Sequence, residues 1–384
     1  MGVKNVVILG STGSIGINTL KVIKRFPDRF KVIGLTAYNN VKTLEKQIKE
    51  FAPKYVAAGA SGISYLRKNI SSKITIFDVE RDLAEIASLD EADIVVIGIS
   101  GSAALKPFLS AVEKGKTVAP ANKEALVIAG DMIMAQARKH KATIIPIDSE
   151  QSAIFQCLDG CDRRKIKSVY LTASGGPLYD VPSSKFDRLS VAQILDHPRW
   201  KMGKRITVDS ATLMNKGFEV IEAKRLFGLD VNQIQVVIHP QAIIHSMVGF
   251  KDGSIMAQLG VTDMRLPIQY ALTYPERLTS GLKDLDFFAL KNLTFRKPDL
   301  HKFPALALAI DVAKKGGTLP SVLNAADEHA VNVFLNGGLK FTQIYKVVEK
   351  VIARHRVKPK PLLADILAAD CWAREEAQKV IGSL

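Results

Sequence analysis

The chain has 384 residues, enough for roughly two or three domains at the usual size and enough to bury a core without disulfide or metal staples. A hydrophobic fraction of 47% and a charged fraction of 24% exclude a disordered chain. Lys and Arg number 53 against 38 Asp and Glu, and the resulting +15 suits anionic partners: nucleic acid, a membrane surface or phosphorylated small molecules. Aromatic residues make up only 7% and the longest basic run is Arg163-Arg164-Lys165, so a nucleic-acid partner is disfavoured. The 3 cysteines, Cys157, Cys161 and Cys371, are odd in number and contain no C-x-x-C pair, which fits reduced thiols in a cytoplasmic protein. No apolar stretch approaches the roughly 18–20 residues of a membrane span, so no membrane partner is expected. Met1–Val6 runs directly into a strand-like segment, without a signal-peptide cleavage site or a myristoylation pattern.

The first 148 residues alternate between two periods. Strand-like runs fall at Asn5–Leu9, Lys31–Thr36, Tyr55–Ala58, Ile74–Phe77, Asp93–Gly98, Thr117–Ala119 and Thr143–Ile147, with helical stretches between them. In one such stretch Val41, Leu44, Ile48 and Phe51 recur at helical spacing behind Asn40, a capping residue, and Pro53 closes it. This alternation predicts βαβ units and a Rossmann-like parallel sheet over 1–148. Residues 149–274 are denser in Gly, Ser and Pro. Strands are expected at Lys167–Ala173, Gln235–Ile238 and His245–Phe250, and a turn at Asp252-Gly253 leads into Ser254–Leu259. This segment is expected to form a central α+β catalytic domain. Residues 275–304 are expected to connect it to a C-terminal helical bundle over 305–384. The fold class expected is therefore α/β.

Three constellations carry chemistry. Gly10-Ser11-Thr12-Gly13-Ser14-Ile15-Gly16 follows an apolar strand and opens a helix. Glycines at every third position let a pyrophosphate approach the backbone, and the helix N-terminus attracts its charge. The plain alternative is a tight turn without a ligand. At the end of the second strand, where NAD binders place an acid, stand Ala37-Tyr38-Asn39-Asn40. Without a carboxylate to repel a 2′-phosphate, NADPH is favoured over NADH.

Asp148-Ser149-Glu150 follows the apolar run Ile144–Ile147. If the strand continues, both carboxylates point to one face at the C-terminal edge of a parallel sheet, a place for a hard divalent cation, Mg²⁺ or Mn²⁺. Solvated loop acids are the alternative. The third stretch, Val208–Glu219, mixes hydroxyls, an amide and Lys216 ahead of an amphipathic helix, which is phosphate-binding chemistry. Lys216 and Glu219, three apart, can share a helix face. The basic loop from His197 to Lys204 carries Trp200 and has the composition of a lid closing over an anion, or of an exposed loop. His239 and His245 read as structural.

Together these residues resemble the 1-deoxy-D-xylulose 5-phosphate reductoisomerase family. The resemblance runs end to end through GSTGSIG at 10–16, ANKE at 121–124, PIDSEQSAIFQ at 146–156, LTASGGP at 171–177, HPRWKMG at 197–203, VDSATLMNKGFEVIEA at 208–223, IHPQAIIHSMV at 238–248 and LPSVLNAADEHAV at 319–331. It implies that Asp148, Glu150 and Glu219 ligate a divalent metal: Mg²⁺, Mn²⁺ or Co²⁺. Ser174, Ser210, Asn215 and Lys216 would hold the substrate phosphate. Ser149 and Lys123 would meet the reacting end of the sugar, with His197 and Trp200 also contacting substrate. Thr12, Gly13, Ser14 and Ile15, with Asn39, Asn40, Asn122, Glu124 and Gly203, would line the NADPH site. The implied reaction rearranges 1-deoxy-D-xylulose 5-phosphate to an aldehyde and reduces it to 2-C-methyl-D-erythritol 4-phosphate, in the non-mevalonate isoprenoid pathway, by a homodimer. Two other readings are an NADP-dependent reductase that acts on a preformed carbonyl without rearrangement, and a basic nucleotide-sensing or nucleic-acid-binding protein.

Overall fold

The computed structural model describes residues 2–196 and 203–384, so His197 and Trp200 lie outside the described residues. The chain divides into two compact units. The first comprises residues 1–125, 131–152 and 263–283; the second comprises 126–130, 153–262 and 284–384.

The first unit is built on a sheet of β1 (Lys4–Leu9), β2 (Phe30–Ala37), β3 (Tyr55–Ala58), β4 (Thr75–Asp78), β5 (Ile94–Ile97), β6 (Thr117–Pro120) and β7 (Thr143–Ile144). All neighbours pair in parallel, in the order β4-β3-β2-β1-β5-β6-β7. Burial explains the sequence pattern. Val6 to Leu9 and Val95 to Ile97 are fully buried, because the central strands β1 and β5 are covered on both faces and so read as unbroken apolar runs. Edge strand β4 is only partly buried and carries Thr75 and Asp78. Helix Val41–Phe51 starts where expected, with the Asn40 side chain accepting from Thr43 N–H at 3.3 Å. Residues 263–283 join this unit through Arg29, whose Nη1 lies 2.8 Å from Glu276 Oε1, and Arg25, which donates to the Thr279 carbonyl at 3.1 Å.

The strand order reverses at β1, which has β2 on one side and β5 on the other. In open α/β sheets this switch point opens a crevice beyond the carboxyl ends of the strands, where ligands bind.

The second unit holds β8 (Ile166–Ala173), β9 (Ile234–Ile238), β10 (Ile244–Phe250) and β11 (Ile255–Leu259), in the order β11-β10-β8-β9. β8 and β9 are parallel, and β10 runs antiparallel to both β8 and β11. The Asp252-Gly253 turn forms as expected, with Phe250 N–H donating to the Ser254 carbonyl at 2.8 Å. Helix Met214–Phe227 packs against helix Pro304–Lys315, and Phe218 is almost fully buried. Truncating Phe218 to Ala would cost about 3–5 kcal/mol. Helices Leu319–Leu335, Phe341–Arg354 and Leu363–Ile381 follow, closing on Val322, Leu323, Val347, Val351, Ile366 and Val380.

Candidate active site

The glycine loop leaves β1 at the switch point. Gly16 permits its closure: a Cβ there would sit 2.3 Å from Ser11 Cα, so no larger residue fits. Ser11 N–H donates to the Thr36 carbonyl at 2.8 Å. The Ser11 hydroxyl donates to Gln47 Oε1 at 2.7 Å, and Gln47 Nε2 returns a bond to the Ser11 carbonyl at 2.9 Å. The base of the loop is thus fixed to β2 and the helix after it. Its tip is open: Gly13 and Ser14 are exposed, Thr12 and Ile15 half-buried. Helix Ser14–Lys24 begins behind Gly13 with no side-chain cap, leaving its first N–H groups to an anion. Asn39 is exposed beyond β2, and Asn40 spends its side-chain oxygen on the helix cap.

Asn122, Lys123 and Glu124 follow β6. The Asn122 amide donates to the carbonyls of Ile99 at 2.8 Å and Gly101 at 3.1 Å, and accepts from Ala125 N–H at 2.9 Å. Its side chain therefore ties the β5 loop to the start of helix Glu124–His140. Lys123 is buried, and its Nζ lies 2.7 Å from Asp148 Oδ2.

The structure corrects the expectation that a strand runs on through Asp148-Ser149-Glu150. Ile145 N–H and Ile147 N–H still bond to β6, at the carbonyls of Val118 (2.9 Å) and Pro120 (2.8 Å). There β6 ends, and Ser152 N–H turns to the Asp148 carbonyl at 2.7 Å, opening helix Ser149–Cys157. An Asp at the cap and a Glu in the first turn are favoured by the helix dipole, so this sequence starts a helix. The strand argument for a shared face therefore does not apply, yet the expected convergence holds: a carboxylate oxygen of Asp148 and one of Glu150 lie within 4.8 Å of each other. Glu150 Oε2 accepts from Ser149 Oγ at 2.5 Å.

In the second unit Ser174 follows β8, and its hydroxyl accepts from Gly176 N–H at 3.2 Å. Gly176 has φ +70°, and a Cβ there would lie 2.4 Å from the Ser210 carbonyl, so the Ser174 loop passes directly beside Ser210. Ser210 stands in the last turn of helix Lys204–Thr212, which Gly203 precedes. Buried Leu213, with φ +61°, joins this helix to Met214–Phe227, whose first turn carries Asn215 and Lys216. Met214–Phe227 has no side-chain cap at its start. Asn215 Nδ2 donates to Glu219 Oε1 at 2.7 Å, and Lys216 Nζ pairs with Glu219 Oε2, as the three-residue spacing predicts. Lys216 and Glu219 are 3% and 1% exposed. His239 is structural: Nδ1 is 3.0 Å from the Thr294 carbonyl, and Nε2 accepts from Ile243 and Ile244 N–H at 3.3 and 3.2 Å.

A family description, 1-deoxy-D-xylulose 5-phosphate reductoisomerase, matches residues 6–130, and two C-terminal domains of the same enzyme match 144–227 and 259–376. A protein of that name from Thermodesulfovibrio yellowstonii is 49% identical over 380 residues, covering 99% of this chain and 100% of its own. The chain belongs to the 1-deoxy-D-xylulose 5-phosphate reductoisomerase family. A member from Thermoanaerobacter pseudethanolicus is 50% identical over 378 residues, covering 98% of this chain and 99% of its own. A solved DOX-P reductoisomerase in complex with NADPH, fosmidomycin and magnesium superposes with a TM-score of 0.93 at 39% identity, covering 99% of this chain and 98% of that one. The Zymomonas mobilis enzyme of this family, in complex with NADPH, also gives 0.93, at 40% identity over 100% of both chains.

Sequence reasoning missed one feature within the family motifs. Arg205, Asp209 and Asp327 form a buried charged cluster behind Ser210. Asp209 and Asp327 both lie in stretches quoted for the resemblance, but 117 residues of intervening chain hide their meeting at Arg205, and no local pattern signals it.

Proposed function

We infer that this chain rearranges 1-deoxy-D-xylulose 5-phosphate and reduces the product to 2-C-methyl-D-erythritol 4-phosphate, using NADPH and a divalent metal, in the non-mevalonate isoprenoid pathway. The observation that carries this reading is the end-to-end likeness to reductoisomerases at 49% identity. The local chemistry agrees with it: an open glycine loop at a switch point for the dinucleotide, and buried charged residues that a fold alone does not require. Burying a carboxylate or ammonium costs several kcal/mol, even when paired.

Asp148, Glu150 and Glu219 are proposed to hold Mg²⁺ or Mn²⁺, with Co²⁺ also suited. The donor set fits a hard cation, because all three are carboxylates, and the buried Asp148 Oδ2 has an ion-pair partner but no hydrogen bond in good geometry. When bound, the metal supplies Lewis acidity toward the carbonyl and hydroxyl oxygens of the sugar, and NADPH supplies hydride. Ser174, Ser210, Asn215 and Lys216 grip the phosphate, anchoring the unreactive end so that its binding energy orients the rest. Lys123 and Ser149 contact the reacting end. His197 and Trp200 contact substrate from the basic loop preceding Gly203. Thr12, Gly13, Ser14, Ile15, Asn39, Asn40, Asn122, Glu124 and Gly203 serve the cofactor.

A homodimer in the cytoplasm completes the reading. No described helix is long and apolar enough to cross a membrane. Edge strand β11 exposes Ile255 at 56% and Met256 at 48%, an edge suited to pairing across a two-fold axis. Sedimentation should give twice 41.9 kDa, and a monomer at micromolar concentration overturns this part. NMR of the product formed from 1-deoxy-D-xylulose 5-phosphate tests the rest. A branched methylerythritol skeleton supports the reading, and a straight-chain pentitol phosphate overturns it.

A further inference from the structure

Behind Ser210, helix Lys204–Thr212 meets helix Leu319–Leu335 through charge rather than apolar contact alone. Asp209 is 4% exposed and Asp327 fully buried. Arg205 reaches into the same space. It donates from Nη2 to Asn324 Oδ1 at 2.8 Å, and its nitrogens lie 3.4 Å from Glu328 Oε1, 3.7 Å from Asp209 Oδ2 and 3.9 Å from Asp327 Oδ2. Glu328 has a second cation, Arg374, at 2.7 Å, and Arg374 also holds Asp370 at 2.7 Å. The Arg205 guanidinium thus faces both buried aspartates.

The oxygens that face it are Asp209 Oδ2 and Asp327 Oδ2, and neither oxygen of fully buried Asp327 receives a hydrogen bond. Ionised carboxylates only accept, so Asp327 gains a hydrogen bond with Asp209 only if one of the two keeps a proton. Two carboxylates sharing a buried site resist ionising together, so the pair gives up its second proton at a strongly raised pH. We propose that Asp209 and Asp327 share one proton and, with Arg205, form a positioning device that fixes helix Lys204–Thr212 and so places Ser210 for the substrate phosphate. Burial, then the charge of Asp209, push the Asp327 carboxyl well above the ordinary carboxylate range, with Glu328 adding to this and Arg205 opposing it. The single negative charge that remains on the pair is the one Arg205 balances. The positioning half of this proposal rests on the reading of Ser210 as a phosphate ligand; the shared proton does not.

The test uses the full-length enzyme and three variants. Asp327→Asn keeps a neutral donor facing Asp209, Asp327→Ala removes it, and Ser210→Ala probes the phosphate contact directly. An acid whose folded pKa is raised stabilises fully below its unfolded value of about 3.9, and that stability is lost as pH rises toward the folded value. The native melting midpoint should therefore fall relative to Asp327→Asn, by roughly 2–4 °C per pH unit, as pH rises above about 4 toward the raised folded value. A gap that does not change with pH overturns the shared proton. In kinetics, Asp327→Asn should keep KM for the phosphorylated substrate within about twofold. Asp327→Ala should raise it about tenfold or more, with a smaller change in kcat, comparable to Ser210→Ala. If Ser210→Ala raises KM and Asp327→Ala does not, the positioning role is wrong. If Ser210→Ala leaves KM unchanged, the phosphate reading has failed and the positioning role with it, whereas the shared proton is still decided by the melting series. Should Asp327→Ala not fold, native KM rising with pH while that of Asp327→Asn stays level supports positioning, and parallel profiles refute it.

Discussion

Lys123 Nζ lies 2.7 Å from Asp148 Oδ2, with 7% and 13% of the two side chains exposed. The two residues stand beyond the carboxyl ends of adjacent parallel strands, β6 and β7, so the sheet itself sets their approach. The ammonium balances Asp148, and by the same token it competes with any dication that Asp148 is asked to hold. Lys123→Gln should therefore leave Mg²⁺ affinity unchanged or tighter, while turnover falls by about 100-fold or more through loss of the substrate contact. Calorimetric titration with Mg²⁺ beside steady-state kinetics checks both. A variant that loses Mg²⁺ and turnover together would count against the division of labour.

Glu219 sits between two donors, Asn215 Nδ2 and Lys216 Nζ, on the first turns of one helix. Glu219→Gln removes the charge that Lys216 is paired with while both are almost fully buried. We expect a stability loss of about 3 kcal/mol, as for other broken buried pairs. Metal dependence should shift to higher Mg²⁺ or Mn²⁺, and turnover should drop by roughly two orders of magnitude. Near-normal turnover and metal affinity would exclude Glu219 as a ligand.

Much of this site is legible in the sequence because its signals are local. The glycines of 10–16, the apolar runs Val6–Leu9 and Ile94–Ile97, the Asn40 cap and the Lys216–Glu219 spacing each declare themselves within one element. The Asp148 to Glu150 segment did not, because a strand and a helix start both tolerate D-S-E after an apolar run. The end of β6 at Pro120, an event 28 residues away, is where the pairing stops. The same limit hid the ties made by Asn122, whose backbone partners at Ile99 and Gly101 belong to another loop, and the approach of Asp209 and Asp327 to Arg205.

The turn after β2 holds no acid at Ala37–Asn40, and Asn39 is exposed. NADPH should therefore support faster turnover than NADH at equal concentration. Asn39→Asp should narrow that preference by setting a negative charge against the 2′-phosphate. Kinetics with both cofactors measure it, and equal use by the unaltered enzyme refutes the reading.

His355 provides a pH prediction away from the site. Its Nε2 is 2.7 Å from Thr318 Oγ1, its ring centroid is 5.0 Å from that of Trp372, and burial lowers its pKa. The unfolded chain then binds the proton more readily than the folded one. Stability should fall as pH drops below about 6.5, the ordinary histidine value. The chain has 2 tryptophans, so Trp200→Phe leaves Trp372 as the sole indole reporter. Its fluorescence should titrate with a midpoint below about 6.5, and a midpoint at or above that value contradicts the burial argument.

The most direct measurement of the central claim is NADPH oxidation by the purified protein, followed at 1-deoxy-D-xylulose 5-phosphate concentrations spanning KM, with Mg²⁺ or with EDTA. The account predicts steady oxidation that requires the ketose phosphate, stops with EDTA and returns on adding Mg²⁺. No oxidation with the ketose, but rapid oxidation with a preformed phosphorylated aldehyde, would contradict it and leave a reductase without the rearrangement.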